Sequence, residues 1–119
     1  NFSFEFKQTD LNEKQKYEDY YFDYALSTSV IEIINDKYYK NFIKNLAKLV
    51  TKGIYIADIF EKFPGGFPRD KLGKDFLNLG FKTIKREIIL SEPFDEKGFK
   101  NKIKIWPSVL MQNLWLSKK

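Results

Sequence analysis

Apolar residues recur every three to four positions along much of the chain, which is the spacing of one buried face of an α-helix. The pattern is clearest over Lys37–Thr51, where Asn35-Asp36 precedes it as a cap. A short apolar helix or turn is expected over Val30–Ile34. Further helices are predicted over Leu11–Leu26, Ile54–Phe63, Pro68–Leu79 and Ser108–Trp115.

Alternation of apolar and polar residues indicates strands with one buried face at three places. Asn1–Lys7 alternates Phe with polar residues, and Phe81–Leu90 begins directly after a helix stop at Gly80. Phe99–Trp106 alternates most regularly. We expect Phe81–Leu90 and Phe99–Trp106 to pair as an antiparallel hairpin across an acidic loop.

These elements predict an α+β fold that is mainly helical. It is a helical bundle with a winged-helix-like helix followed by a basic antiparallel β-hairpin. The 119 residues suffice for one domain. We expect residues 1–36 to form an acidic, Tyr-rich helical extension and residues 37–119 to form the basic, winged-helix-like part.

Charge is divided unevenly between these two parts. Residues 1–36 carry three lysines against eight acidic residues, a net charge of −5. Residues 37–119 carry 18 basic against eight acidic residues, a net charge of +10. The basic part favours a polyanionic partner. The alternative is a Lys-rich surface that only keeps the protein dissolved.

The chain contains neither Cys nor His. Disulfides, thiolate metal sites and thiol nucleophiles are therefore excluded, and the commonest general base is missing. Asp19, Asp23 and Glu18 could hold magnesium, but no Gly-rich phosphate loop accompanies them. No apolar run approaches the roughly 18 to 20 residues that span a bilayer. We expect a cytoplasmic, non-enzymatic protein without metal or cofactor.

Basic side chains on one strand face lie about 6–7 Å apart, close to the spacing of phosphates along a nucleic-acid strand. Arg and Asn are residue types that read base edges. The alternative is that alternating Lys marks a solvated hairpin face or protects an edge strand. The candidate nucleic-acid contacts are Arg69, Lys71, Lys74 and Asn78 in the helix, and Lys82, Lys85, Arg86, Lys100, Lys102, Lys104 and Trp106 in the hairpin.

The stretch Pro68–Arg86 resembles the winged-helix domain that closes primase-helicases of plasmids and viruses. In that family a helix ending in Leu-Gly-Phe, here Leu79-Gly80-Phe81, runs into a Lys/Arg-rich strand. The resemblance implies recognition-helix contacts by Arg69, Lys71, Lys74 and Asn78, and wing contacts by Lys85, Arg86, Lys100 and Lys102. The long acidic loop departs from the usual short wing tip.

A second resemblance joins Phe76–Gly80 with Glu92–Glu96. These segments are similar to part of the C-terminal domain of the large subunit of archaeal primases. That domain carries an iron–sulfur cluster, so this Cys-free chain would be a cluster-less relative, such as the small non-catalytic third primase subunit. The family implies binding of the initiating nucleotide and template within a complex with the catalytic subunit.

The resulting hypothesis is a non-catalytic nucleic-acid-binding accessory domain or subunit in DNA replication or primer synthesis. Its expected partners are DNA and a replication protein such as a primase catalytic subunit, with no membrane. The acidic N-terminal third would contact the protein partner. The alternatives are a non-catalytic primase subunit that binds nucleotide and template, and a protein-interaction module without nucleic-acid contact.

Overall fold

The computed structural model describes residues 8, 10–11, 21–61, 65–90, 94–95, 105–106 and 109–119. No helix in these ranges is both long and apolar enough to cross a membrane. The elements in chain order are β1 (Phe22–Thr28), a 3-10 turn (Ile31–Ile33), α1 (Asp36–Lys48), β2 (Val50–Ile59), α2 (Leu72–Leu77), β3 (Phe81–Leu90), β4 (Phe94–Asp95), β5 (Ile105–Trp106) and β6 (Leu110–Lys118).

Four strands form one mixed sheet in the order β1-β2-β6-β3. The first pair, β1 and β2, is parallel, and β6 runs antiparallel to both of its neighbours. Consequently β1, β2 and β3 point the same way, and β6 is inserted between β2 and β3 in the opposite direction. The fold is α/β, with two α-helices in the described part of the chain. The predicted mainly helical α+β bundle is therefore wrong.

Two of the predicted helices are strands. The range Ile54–Phe63 falls largely in β2, where Ile54, Ile56 and Asp58 are buried and the residues between them are less so. Most of Ser108–Trp115 falls in β6, which alternates in the same way. A mostly apolar stretch matches both periods, and here pairing on both sides of each strand satisfies the backbone.

The predicted strand Phe81–Leu90 is confirmed with the same bounds as β3. Its predicted pairing is wrong, because β3 pairs with β6 over its whole length. The last two residues of the predicted strand Phe99–Trp106 form β5, which pairs with β4. In the described residues β3 and β5 therefore do not form the predicted winged-helix hairpin, and residues 99–104 of that prediction lie outside the described part of the chain.

The predicted helix Leu11–Leu26 is wrong at its end, because β1 begins at Phe22. The predicted strand Asn1–Lys7 and the candidate magnesium ligands Glu18 and Asp19 lie outside the described residues.

The helix α1 confirms the clearest periodicity in the sequence, although it ends at Lys48 rather than Thr51. The side chain of Asn35 caps it, because Oδ1 accepts a hydrogen bond from the Lys37 N–H at 3.0 Å. The other helix, α2, is shorter than predicted at both ends. Gly80 follows it at φ +91°, a conformation that favours glycine at a helix stop.

Both helices pack against one face of the sheet. The core joins Tyr39, Ile43 and Leu46 of α1 and Phe76 of α2 to buried strand residues. Those strand residues include Val50, Ile54, Ile56, Phe81, Leu114 and Leu116. We call this side the helix face and the opposite side the open face. Large apolar side chains are exposed on the open face, among them Tyr24 (69%), Leu26 (70%) and Ile84 (66%).

Gly53 in β2 makes a close approach possible between β1, β2 and β6. A Cβ there would lie 2.7 Å from the Leu116 carbonyl oxygen and 3.4 Å from the Tyr24 ring. The clash is with backbone, which is held by strand pairing and cannot rotate away as a side chain can.

We expect Gly53→Ala to lower the free energy of unfolding by about 1–3 kcal/mol, because the sheet must shift to admit the methyl group. Urea denaturation followed by circular dichroism measures the loss. The matched control is Lys44→Ala on the exposed side of α1, which should change stability by less than about 0.5 kcal/mol. Equal stability of Gly53→Ala and the parent chain would contradict the close approach.

Candidate functional site

The carboxyl ends of β1, β2 and β3 lie at the same edge of the sheet, because these strands point the same way. In open α/β sheets, ligands bind in the crevice outside these ends. Two connecting segments border this edge: residues 29–35 after β1, and residues 60–61 and 65–71 after β2. We call the strand ends and these two segments the carboxyl edge.

Ser29 turns the chain sharply where it leaves β1. Its φ of 53° lies in the left-handed region, which residues other than glycine rarely adopt. Its N–H donates to the Ala57 carbonyl oxygen at 2.8 Å, which holds the turn against β2. Strained backbone of this kind is concentrated at functional sites. The turn leaves Val30 39% exposed at the edge.

The Glu32 side chain ties the two bordering segments to the sheet. It is 2% exposed. One carboxylate oxygen, Oε2, accepts a hydrogen bond from the Ile59 N–H at 2.7 Å. The Glu32 backbone oxygen accepts another from the Phe67 N–H at 2.6 Å. A single residue therefore fixes the end of β2 and both segments relative to one another.

Asp58 is a second buried carboxyl group at this edge. It is fully buried, and neither of its side-chain oxygens has a hydrogen-bond partner among the described residues. Burial raises the pKa of Asp58 to about 7, and the Glu32 carboxylate adds to the rise. The Gln112 side chain and the Arg69 guanidinium oppose it. The group therefore gains and loses a proton near neutral pH.

Gln112 lies opposite Asp58 in the register of β2 and β6. It is 1% exposed, and both the nitrogen and the oxygen of its side-chain amide form hydrogen bonds. The amide nitrogen Nε2 donates to the Arg69 carbonyl oxygen at 2.6 Å. The amide oxygen Oε1 accepts from Nε of Arg86 at 3.4 Å. Gln112 thus links β3 and the segment after β2 to the central strand.

Arg69 brings a positive charge to the carboxyl edge. Its side chain is 12% exposed and pairs with the Asp36 carboxylate. The guanidinium also donates to the Ile34 carbonyl oxygen at 2.5 Å. Its carbon Cζ lies 4.1 Å from the centroid of the Tyr39 ring, a cation–π contact. These contacts hold the guanidinium group in one position, whereas the side chain of an exposed arginine would adopt many conformations.

Tyr39 completes the cluster from α1. Its hydroxyl donates to Oδ2 of Asp75 at 2.6 Å. Burial raises the pKa of Tyr39 far above the usual range, and the hydrogen bond to Asp75 adds to the rise. The phenol therefore stays protonated at any physiological pH and acts here as a hydrogen-bond donor.

The buried polar cluster consists of Glu32, Asp58, Arg69 and Gln112, with Tyr39 and Asp75 beside it. Its chemistry is that of proton exchange at Asp58 and of fixed hydrogen-bond donors and acceptors around it. No group of three or more potential metal ligands comes together among the described residues. Glu32, Asp58 and Gln112 are closed to solvent and Arg69 is nearly so, so these residues position the edge that a ligand would meet.

The predicted nucleic-acid contacts are spread over several surfaces. Arg69 belongs to the buried polar cluster, whereas Lys71, Lys74 and Asn78 are exposed around α2. On β3, Lys82 and Lys85 pair with Ser117 and Trp115 on the open face, and Arg86 pairs with Leu114 on the helix face. Lys100, Lys102 and Lys104 lie outside the described residues, as does the side chain of Trp106. Contact of these residues with DNA, and with a replication protein beside it, stays a prediction.

Sequence reasoning missed Glu32, Asp58, Gln112 and Tyr39. Two of them carried a usable signal, since Glu32 interrupts the apolar run 30–34 and Asp58 interrupts the apolar run 54–60. A charged residue within an otherwise apolar run is a candidate for a buried charge. Charged side chains are rarely buried, and those that are buried are often paired or belong to a functional site.

We expect a stability difference between the parent chain and Asp58→Asn that depends on pH. The pKa of Asp58 is raised in the folded protein, so as pH rises from about 4 to 7 the unfolded chain ionises first and stability falls. For a pKa of about 7 the loss in the free energy of unfolding amounts to roughly 4 kcal/mol. Asp58→Asn has no ionisable group at this position and should not show this loss. Guanidinium denaturation at several pH values measures the difference, with the exposed Asp70→Asn as control. Parallel pH profiles for Asp58→Asn and the parent chain would contradict the assignment.

Removal of the Glu32 carboxylate leaves the partly buried Ile59 N–H without its acceptor. We expect Glu32→Ala to lower the free energy of unfolding by about 1–3 kcal/mol or more. Glu32→Gln keeps an oxygen in place and should cost clearly less. Equal losses for the two variants, measured by urea denaturation, would show that the hydrogen bond to β2 contributes little.

No protein-family model matches the chain, and no curated protein matches it in sequence. Solved structures do share its fold. Magnesium protoporphyrin IX methyltransferase from Synechocystis PCC 6803, with bound SAH, has a TM-score of 0.64 at 13% identity over 93% of this chain and 49% of that one. A SAM-dependent methyltransferase from Methanosarcina mazei has a TM-score of 0.67 at 12% identity, with 96% and 66% covered.

A third similar structure is 1,6-didemethyltoxoflavin-N1-methyltransferase from Burkholderia thailandensis, with bound 1,6-didemethyltoxoflavin and S-adenosylhomocysteine. Its TM-score is 0.63 at 12% identity, with 93% of this chain and 49% of that chain covered. The chain thus spans about half of two of these proteins and 66% of the third.

These likenesses overturn both resemblances drawn from the sequence. The assignments to winged-helix domains of primase-helicases and to a cluster-less primase subunit are wrong, because the sheet and its strand order are those of another fold class. The non-catalytic replication function that rested on them is wrong with them, since the structures that share the fold are methyltransferases. The chain has the Rossmann-like fold of SAM-dependent methyltransferases.

Proposed function

We propose that this chain forms about half of the catalytic domain of a SAM-dependent methyltransferase, and that its carboxyl edge borders the place where the methyl group is transferred. The observation that carries the proposal is the match of the four-stranded sheet, with its reversed strand β6, to methyltransferases over 93–96% of the chain. At identities of 12–13% the match shows a shared fold, and the methyltransferase activity is our inference from that fold.

The charge of the cluster fits this class of cofactor. S-Adenosylmethionine supplies an electrophilic methyl group on a sulfonium centre, and S-adenosylhomocysteine remains once the methyl has moved to an acceptor. The Asp58 carboxyl group keeps two unsatisfied oxygens directly beneath the carboxyl edge, next to buried Glu32. Because the Asp36 carboxylate offsets the charge of Arg69, Glu32 and Asp58 in their ionised forms leave the edge net negative, which favours a cation or a donor over an anion.

The described residues would contribute to such a reaction by positioning and by exclusion of water. Glu32 and Gln112 hold the end of β2, the two bordering segments and β3 in fixed relation. Apolar side chains at the edge, such as Val30 and Phe67, would shield a reacting group from solvent.

The proposal is tested by titration of the native polypeptide that carries this sequence with S-adenosylhomocysteine in a calorimeter, which requires no acceptor. We expect saturable binding at one site, competed by S-adenosylmethionine and not by ATP. Val30→Lys places a bulky cation at the edge and should weaken binding about tenfold or more by displacement and charge repulsion.

Lys48→Ala, at an exposed position on the last turn of α1, is the matched control and should leave the affinity unchanged. Circular dichroism establishes that Val30→Lys remains folded. Absence of heat at millimolar S-adenosylhomocysteine would overturn the proposal, and so would full affinity in folded Val30→Lys.

A further inference from the structure

Two residues of opposite charge in the buried polar cluster keep unused hydrogen-bonding atoms. Both carboxyl oxygens of Asp58 and Nε of Arg69 are buried, and within the part of the chain that the structure describes none of these atoms has a partner. Buried polar groups in folded proteins are almost always hydrogen-bonded. Acceptors and a donor that stay unused in one cluster therefore indicate a second arrangement, in which the two residues pair with each other.

Gln112 keeps the Arg69 backbone beside Asp58. It lies opposite Asp58 in the register of β2 and β6, and its amide nitrogen donates to the Arg69 carbonyl oxygen at 2.6 Å. Burial raises the pKa of Asp58, and the Arg69 guanidinium opposes the rise, so the two charges are close enough to interact. In the observed arrangement the guanidinium nevertheless pairs with the Asp36 carboxylate and donates to the Ile34 carbonyl oxygen.

The two carboxyl groups that can pair with Arg69 differ in how strongly they depend on it. The side chain of Asp36 is 75% exposed, so water solvates its charge with or without the guanidinium. An exposed ion pair of this kind contributes little to stability. Asp58 is fully buried, and an ionised carboxylate without a partner is far more costly there. Once Asp58 is ionised, Arg69 therefore stabilises the protein more beside Asp58 than beside Asp36.

We propose that the Arg69 side chain has two positions and that the charge of Asp58 selects between them. While Asp58 is protonated, the guanidinium pairs with Asp36 and with the Ile34 carbonyl oxygen, as the structure shows. Once Asp58 is ionised, the guanidinium turns inward and pairs with it. The proton that Asp58 loses goes to solvent.

The exchange regulates how the carboxyl edge is held together. In the outer position Arg69 ties the segment after β2 to the segment after β1 and to the start of α1. The inner position releases this tie, whereas the hydrogen bonds of Glu32 to Ile59 and Phe67 remain. Arg69 is thus a positioning residue whose contacts depend on pH. The inference rests on the buried polar cluster and does not require the proposed methyl transfer.

The exchange takes place near neutral pH, because burial and the Glu32 carboxylate raise the pKa of Asp58 to about 7. Tyr39 stays protonated in this range, and arginine is not deprotonated in proteins. Below the pKa the outer position is favoured, and above it the inner one. The charged and titratable side chains around Asp58 are Glu32 of the 3-10 turn, Tyr39 of α1 with its partner Asp75 of α2, Arg69 itself and, through Gln112, Arg86 of β3.

The test is carbon-13 NMR of the native polypeptide that carries this sequence, labelled at the aspartate side-chain carboxyl groups. Spectra are recorded from about pH 5.5 to about pH 8.5, on either side of the pKa of Asp58. We expect the Asp36 resonance to shift with the same midpoint as the Asp58 resonance, because the population of the Asp36–Arg69 pair falls about tenfold or more. The matched control is Asp23, an exposed carboxylate paired with Lys52, whose resonance should show no such step.

Two variants separate movement of Arg69 from a direct electric effect of Asp58 on Asp36. Asp58→Asn removes the charge that selects the position, and Arg69→Gln removes the group that moves. We expect the step at Asp36 to be lost in both, although Asp58 still ionises in Arg69→Gln. A step that persists in Arg69→Gln would show a direct electric effect and would overturn the proposal.

The parent chain can also overturn the proposal without any variant. It fails if the Asp36 resonance stays constant while Asp58 ionises, and equally if Asp58 does not ionise within this range of pH. S-Adenosylhomocysteine is not part of the experiment, so the outcome is independent of whether the methyl-transfer proposal holds.

Discussion

The insertion of β6 between β2 and β3 is the constraint on which the rest of the structure depends. This strand satisfies the backbone groups of both neighbours, and it brings Gln112 opposite Asp58. Without β6, β2 and β3 would not belong to one sheet. The carboxyl edge would also lose Gln112, which links β3 to the segment after β2. Because β6 is the last described strand, this part of the sheet forms through contacts of long sequence separation, which slows folding.

The sequence correctly predicted those elements whose pattern of apolar and polar residues fits only one type of secondary structure. Apolar and aromatic residues recur at three-to-four spacing on one side of α1, and the start of β3 follows from the helix stop at Gly80. The strands β2 and β6 were misassigned because apolar residues also stand on their open face, such as Tyr55 and Trp115, so the sequence lacks the apolar–polar alternation that identifies a half-buried strand. The apolar positions of Ile56, Ile59 and Phe60 match a helix equally well.

The candidate site was less accessible from the sequence than the fold. Glu32 and Asp58 were missed although both are acids within apolar runs, and their partners Arg69 and Gln112 are 37 or more positions away from Glu32. Their meeting depends on strand order, which no local pattern specifies. Positive charge drew attention to the lysines instead. Net charge bears on solubility and association and does not select a fold, so it could not correct the misassigned strands.

The raised pKa of Asp58 couples folding to the uptake of protons. At pH 7 the folded chain holds about half a proton on this carboxyl group that the unfolded chain has given up. Unfolding therefore delivers protons to the buffer. The apparent enthalpy of unfolding will depend on the ionisation enthalpy of that buffer, and two buffers at the same pH will give different calorimetric values for one and the same transition.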